Sequence, residues 1–208
     1  MGYLRRRAML ALASVAGASA LAVPAANAGL ISGLGGAVLP SCGATSQPFL
    51  QFGDANDYCA LSNNDFESGG SGWTLAGGAS VVAGNEPWYV AGPGSHALDL
   101  APGATATSPS VPISLLDPYF RMFARSAGAD GDLQVQVVFH GLLGNLTGLL
   151  NVGEFAPGDY GDWSPSQLVP SLLALPLGTT SAQVRFTSLA SSGDWQVDDV
   201  FVDPWKII

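Results

Sequence analysis

Positive charge is what this chain has least of: seven Lys and Arg and two His stand against sixteen Asp and Glu in 208 residues. Three of the seven, Arg5, Arg6 and Arg7, sit together at the start, ahead of the run Ala8–Val23 that closes on Ala26-Asn27-Ala28. That is the basic, apolar, small-x-small order of a signal peptide. The run is rich in Ala, Gly and Ser and falls below the roughly 18–20 strongly apolar residues that span a bilayer. Residues 1–28 are therefore expected to be cleaved, with no membrane insertion afterwards, and Arg6-Arg7 is also compatible with twin-arginine export. The chain beyond Ala28 keeps four basic residues and all sixteen acids, a net charge of −12. Such a surface repels nucleic acid and anionic lipid, so neither is an expected partner. A secreted or extracytoplasmic location is the expectation the leader carries.

Cysteine is nearly absent. Cys42 and Cys59 are the only two, and export to an oxidising compartment makes their pairing the natural reading, with two free thiols as the alternative. A bridge of that span contributes about 3 kcal/mol in the chain-entropy account. Residues 29–60 read as a lead-in to a domain at 61–208. Catalytic signatures are missing too: there is no G-x-S-x-G, no H-E-x-x-H and no Gly-rich phosphate loop followed by Lys. Glu86 and Glu154 are isolated acids with no local pattern marking a glycosidase pair, and the two histidines, His96 and His140, lack partners in sequence. The chain is not expected to be an enzyme.

Long amphipathic helices are also lacking; the one candidate, PSQLVPSLLALPLG, is interrupted by Pro170 and Pro176. What is present is alternation. Short strands are expected around Leu98 and Thr105, from Tyr119, from Asp132, from Ala182 and from Asp194. Turn segments rich in Gly, Pro, Asp and Ser separate them. This pattern predicts an all-β, two-sheet antiparallel β-sandwich or jelly roll. In three strands the pleat sets an apolar side against a polar one: Leu133, Val135, Val137 and Phe139 against Gln134, Gln136 and His140; Val184 and Phe186 against Gln183 and Arg185; Phe120 and Met122 against Arg121 and Arg125. The polar sides form either an ordinary solvated face or a groove of planar, multi-donor side chains suited to sugar hydroxyls.

The order NNDFESGGSGWTL (Asn63–Leu75), GSHALDL and DWQVDDVFVDP resembles carbohydrate-binding modules with a galactose-binding-like jelly-roll fold. The resemblance covers Leu61–Asp203, and Val197 stands where Ile is usual. It implies a structural calcium held by Glu67 and Asp198, with Asp65 and Ser95 as carbonyl donors and Asp199 as a competing acid. Calcium prefers several hard oxygens in an irregular loop geometry, which is consistent with such a set. The other reading makes Glu67 a turn acid and Asp198-Asp199 edge charges that discourage strand addition. Trp73 and Trp195 are expected in the core or at its rim. Trp88, Tyr89 and Trp163 lie between strands beside Gly and Pro, where rings are placed either to anchor loops or to stack on sugars. The expected ligand set is Trp88, Tyr89 and Trp163 beside Arg121, Gln134, Gln136 and Arg185. The implied function is non-catalytic carbohydrate binding, to a polysaccharide or cell-surface glycan and with cell-wall association; the alternative is an exported structural or adhesive scaffold. Asn145-Leu146-Thr147 is a glycosylation sequon.

Overall fold

Alternating apolar residues become strands where a turn lets the chain double back, and this chain has such turns throughout. The computed structural model describes residues 44–112, 119–170 and 175–203. All of these fall in one compact unit, Val38–Ile208; the leader and Cys42 lie outside the described residues. In order the strands are β1 (Cys59–Ala60), β2 (Thr74–Ala76), β3 (Ser80–Ala83), β4 (His96–Leu100), β5 (Thr105–Thr107), β6 (Val111–Pro112) and β7 (Tyr119–Ala127). They continue as β8 (Leu133–Gly141), β9 (Leu146–Phe155), β10 (Ser164–Pro165), β11 (Val169–Pro170), β12 (Thr179–Ser188) and β13 (Asp194–Asp203). The helical elements among the described residues are two three-residue 3-10 turns, Leu50–Phe52 and Pro157–Asp159. No described helix is long and apolar enough to cross a membrane.

All described pairings between these strands are antiparallel and form two sheets. One runs β10-β7-β13-β4-β3, with β1 extending the β13 edge and β11 the β7 edge; the other runs β2-β5-β12-β8-β9, with β6 beside β12. Leu98, Leu100, Phe120, Met122, Trp195 and Val197 from the first sheet share one core with Val135, Val137, Phe139, Val184 and Phe186 from the second. Each such side chain contributes about 1.5–3 kcal/mol by leaving water. The expected β-sandwich is thus the observed one. Trp73 and Trp195 are buried as expected, and their ring N–H groups donate to the carbonyls of Asn63 (3.2 Å) and Gly131 (2.8 Å). Strand β9 carries glycines and leucines without alternation, so periodicity gives no hint of it; pairing along β8 defines it.

The lead-in is part of the fold. Ser46 and Tyr58 exchange backbone bonds, β1 pairs with β13, and Phe49 and Tyr58 pack on Phe123 and Phe201 in a second, smaller core on the outer face of the first sheet. Phe49 stacks on Phe123 at 5.5 Å and meets Phe201 edge-on at 5.7 Å. Buried Cys59 begins β1, and no free cysteine occurs among the described residues.

Two expectations for Arg121 fail here. It lies on β7, in the other sheet from Gln134, Gln136 and Arg185, and it is buried beneath the lead-in. Alternation along a strand reports which residues share a side; it cannot report which sheet the strand joins. The guanidinium donates from Nε to the Ser166 carbonyl (2.8 Å) and from Nη1 to Asp54 Oδ2 (2.8 Å), and lies 4.3 Å from the Phe49 ring centre. Burial raises the Asp54 pKa, but the Tyr58 hydroxyl (2.6 Å), the Asn56 amide and Arg121 outweigh it, so the carboxyl titrates below its usual range. Removing one partner of a buried pair leaves the other charge without compensation. Arg121→Met is therefore expected to lower unfolding stability by about 3 kcal/mol in urea titration, and a loss below about 0.5 kcal/mol would show that the pair does not hold the lead-in.

Candidate functional site

Three segments distant in sequence meet at the middle of β13 in the first sheet. The opening turn reaches the last strand through Leu61 N–H to Val200 O (3.1 Å) and Val200 N–H to Asn64 O (3.2 Å), and residues 84–95 close over both. A register shift between Asp198 and Phe201 makes a bulge there. Its effect is to turn Val200 into the main core and Phe201 into the smaller one while both acids stay buried. The four described non-glycine residues with positive φ are Asn63, Phe66, Tyr89 and Asp199 (φ 50–55°), and all four lie on these three segments. Phe66 in that conformation is unusual for a bulky side chain. Strain gathered at one junction marks a place the surrounding structure over-determines.

Glu86, Asp198 and Asp199 are buried at this junction. Asp198 Oδ2 accepts the Glu86 amide (3.0 Å) and Oδ1 the Asp199 amide (2.9 Å). Glu86 accepts the amides of Trp88 (2.5 Å) and Val90 (2.6 Å), and Asp199 that of Ala91 (3.4 Å). The salt bridges among the described residues involve none of the three. Burial first, and then the charges of Glu86 and Asp65, push Asp198 up to about 8. Asp199 is raised for the same reason, with Asp198 and Glu86 adding to burial.

Glu67, the first expected cation ligand, is engaged differently. Its Oε1 accepts the amides of Ser95 (2.6 Å) and His96 (2.7 Å), while Oε2 lies 3.2 Å from Ser95 Oγ and 3.1 Å from His96 Nδ1. The Ser95 amide, helped by the His96 contacts, holds its carboxyl down to about 2. Asp65 Oδ1 caps the Glu67 amide (3.3 Å), and the Ser95 carbonyl accepts Gly84 N–H (2.9 Å). Among the described residues no three His, Cys, Asp or Glu are grouped around one centre. Glu86, Asp198 and Asp199 are all buried near this junction, but they do not form such a group either. Glu86 has no sequence signal beyond being an acid between a Gly-Asn turn and a Pro.

A second candidate lies across the sandwich. On the outer face of the second sheet, paired residues align Asn151, Gln136, Arg185, Thr107 and Thr74 in one row across five strands. Glu154, Gln134, Thr187 and Thr105 align beside it. Gln136 Nε2 donates to Asn151 Oδ1 (2.6 Å), Gln134 Nε2 to Glu154 Oε1 (3.3 Å) and Arg185 Nε to Thr107 Oγ1 (3.2 Å), while Gln183 and His140 meet at 2.8 Å. Three expected ligand residues, Gln134, Gln136 and Arg185, do share this face. The expected aromatics do not: Trp88 packs on Phe52 (5.0 Å) and Phe123 (5.4 Å), and Trp163 joins the same small core beneath Arg125. Tyr89, 54 % exposed, is on the same loop as Trp88. Loop position in sequence does not specify which face of a sandwich a loop folds over.

No protein-family model matches the chain, and no curated protein does. Carbohydrate-binding modules are among the solved structures similar to it. The xylan-binding domain CBM22-1 of Paenibacillus barcinonensis Xyn10C is 18% identical, with 70% of this chain and 94% of that one covered and a TM-score of 0.48. A family 16 module is 21% identical, with 69% and 98% covered and a score of 0.44. The active domain of bacteriophage CBA120 tailspike protein 4 is 18% identical, scores 0.46 and is matched over only 21% of its length, against 69% of this chain. None of these scores reaches one half, so the functional reading stands on this chain's own side chains.

The junction acids make stability depend on pH. A carboxyl whose folded pKa exceeds its ordinary value of about 3.9 binds protons more tightly in the native state, so its contribution is lost as pH rises through the folded pKa. Cation-free protein is expected to melt at progressively lower temperature from about pH 5 to pH 8, the upper end being the raised Asp198 value. Asp198→Asn is expected to flatten that slope; an identical slope in the variant would show that the acids are not its source.

Proposed function

We propose that this chain is a secreted, non-catalytic carbohydrate-binding protein that takes a polysaccharide or cell-surface glycan on the outer face of the β2-β5-β12-β8-β9 sheet. The observation that carries the reading is the row Asn151, Gln136, Arg185 and Thr107, drawn from four adjacent strands. Amides offer both donors and acceptors, and a guanidinium offers a planar fork of donors, which suits vicinal hydroxyls held at fixed spacing. Mounting them on paired strands fixes their separation before any ligand arrives. A location at the cell wall fits a binder exported without a catalytic signature in its sequence.

We also propose calcium at the junction, where the buried carboxylates of Asp198 and Asp199 supply hard oxygens and Glu67 fixes the loop beside them; since among the described residues no three acids are grouped around one centre there, binding would draw Glu86 toward the pair. Bound there, the ion would supply positive charge that those acids otherwise lack. The Cys42–Cys59 disulfide is proposed on the ground of export to an oxidising compartment, and would tie the lead-in to β1; Cys59 recovered as an alkylatable thiol from non-reduced protein would exclude it.

The scaffold reading has one observation in its favour. Trp88 and Trp163 serve the small core, and none of the residues paired in the polar rows is aromatic. A glycan array, run with calcium and with chelator, separates the two. Gln136→Ala and Arg185→Ala are each expected to weaken glycan binding about tenfold, the loss of one good hydrogen-bonded contact to a charged or amide group, with the melting temperature unchanged. Trp88→Ala is expected to lower the melting temperature and spare binding. Chelator is expected to lower the melting temperature above pH 7. Wild-type protein that binds no glycan at all is the scaffold; a melting temperature indifferent to chelator excludes the cation.

A further inference from the structure

The largest anomaly on the surface is aliphatic. Leu142 and Leu143, in the turn between β8 and β9, are 85 % and 92 % exposed, Leu146 and Leu149 on β9 are 64 % and 51 %, and Leu177 is 99 %. They belong to one end of the molecule: Thr179 pairs with Gly141, and the Gly178 carbonyl lies 3.3 Å from where a Cβ on Gly141 would stand. Single exposed leucines need no explanation, but a group of them does.

Two further features accompany the group. From Gly141 to Gly153 the chain carries no ionisable residue, although acids dominate the rest. And β9 is the last strand of its sheet; among the described residues it pairs only with β8, along ten residues. Natural edge strands are usually guarded by Lys, Pro or an inward charge. Between Leu146 and Gly153 there is none of these.

We propose that β9 is the interface between two copies of this chain, paired antiparallel across a two-fold axis. Two acidic copies repel over most of their surfaces, and a charge-free strip is where they can approach. An edge strand is self-complementary in antiparallel pairing, because each copy offers the other the same donors and acceptors. Opposed residues in such a pair project to the same side, so Leu146 and Leu149 of the two copies cover each other. Both polar faces then lie on one side of a continuous sheet, and a long repeating polymer can engage both at once. Lipid is the less favoured occupant, since insertion of the leucine tip would leave the β9 backbone edge unused.

Sedimentation equilibrium of the secreted chain over a concentration series tests this. The expected result is a monomer–dimer equilibrium that tightens with salt, because salt screens the repulsion between acidic copies. The double variant Leu146→Lys, Leu149→Lys sets like charges opposite one another and is expected to weaken dimerisation at least about tenfold, with the melting temperature retained. If that variant unfolds, the turn variant Leu142→Asn, Leu143→Asn, which leaves the strand intact, is expected to weaken dimerisation in the same direction. Wild-type protein that stays monomeric throughout overturns the proposal, as does a dimer indifferent to the substitutions in folded variants. A monomer that floats with phosphatidylcholine vesicles overturns it in favour of lipid.

Discussion

The bulge between Asp198 and Phe201 is the feature on which the rest of the molecule depends. β13 lies between β7 and β4 and also receives β1. A strand in regular register would alternate sides without interruption, whereas the extra residue here re-aims the side chains beyond it. Val200 turns inward to the main core and Phe201 outward to Phe49 and Tyr58. Without that change of side, the lead-in would have no Phe201 to pack on and the opening turn no Val200 carbonyl and amide to meet. The positive φ of Asp199 is the local expression of it.

The same bulge buries two adjacent acids, and the loop carrying Glu86 adds a third. Their backbone amide contacts orient the carboxyls without removing the burial penalty, which is why Asp198 is pushed up to about 8. The chain has few cations to offset this. Arg121 is occupied by Asp54, Arg125 by Gln196 and Arg185 by Thr107. Protonation relieves that penalty at the junction, and the junction in turn positions the loop that delivers Trp88 and Val90 to the small core.

The two outer faces of the sandwich have diverged in consequence. One is covered by the lead-in, its aromatics used as packing and its arginine as a tie. The other carries amides and one guanidinium in register, with the leucines of β9 at its margin. The proposed recognition and self-association both use the second sheet, the first having been used to fasten the N-terminal segment.

The sequence by itself determined the fold class and the buried faces of β8 and β12, while the meeting of the opening motif with the terminal strand was only implied by the family resemblance. The first two follow from period-two alternation, turn chemistry and residue types whose physical demands are local. It also marked Gln134, Gln136 and Arg185 as one polar side, because neighbouring strands β8 and β12 keep their pleats in step. Only the tertiary structure decided that β7 belongs to the other sheet, so that Arg121 is a buried tie. It also turned Trp88 and Trp163 to the covered face and brought Glu86 to the junction acids while Glu67 was satisfied by Ser95 and His96. The physical reason is the same in each case. A strand's pattern specifies which of its sides is apolar, but its neighbours, its bulges and the direction its loops fold depend on contacts between residues dozens of positions apart, which no local pattern encodes.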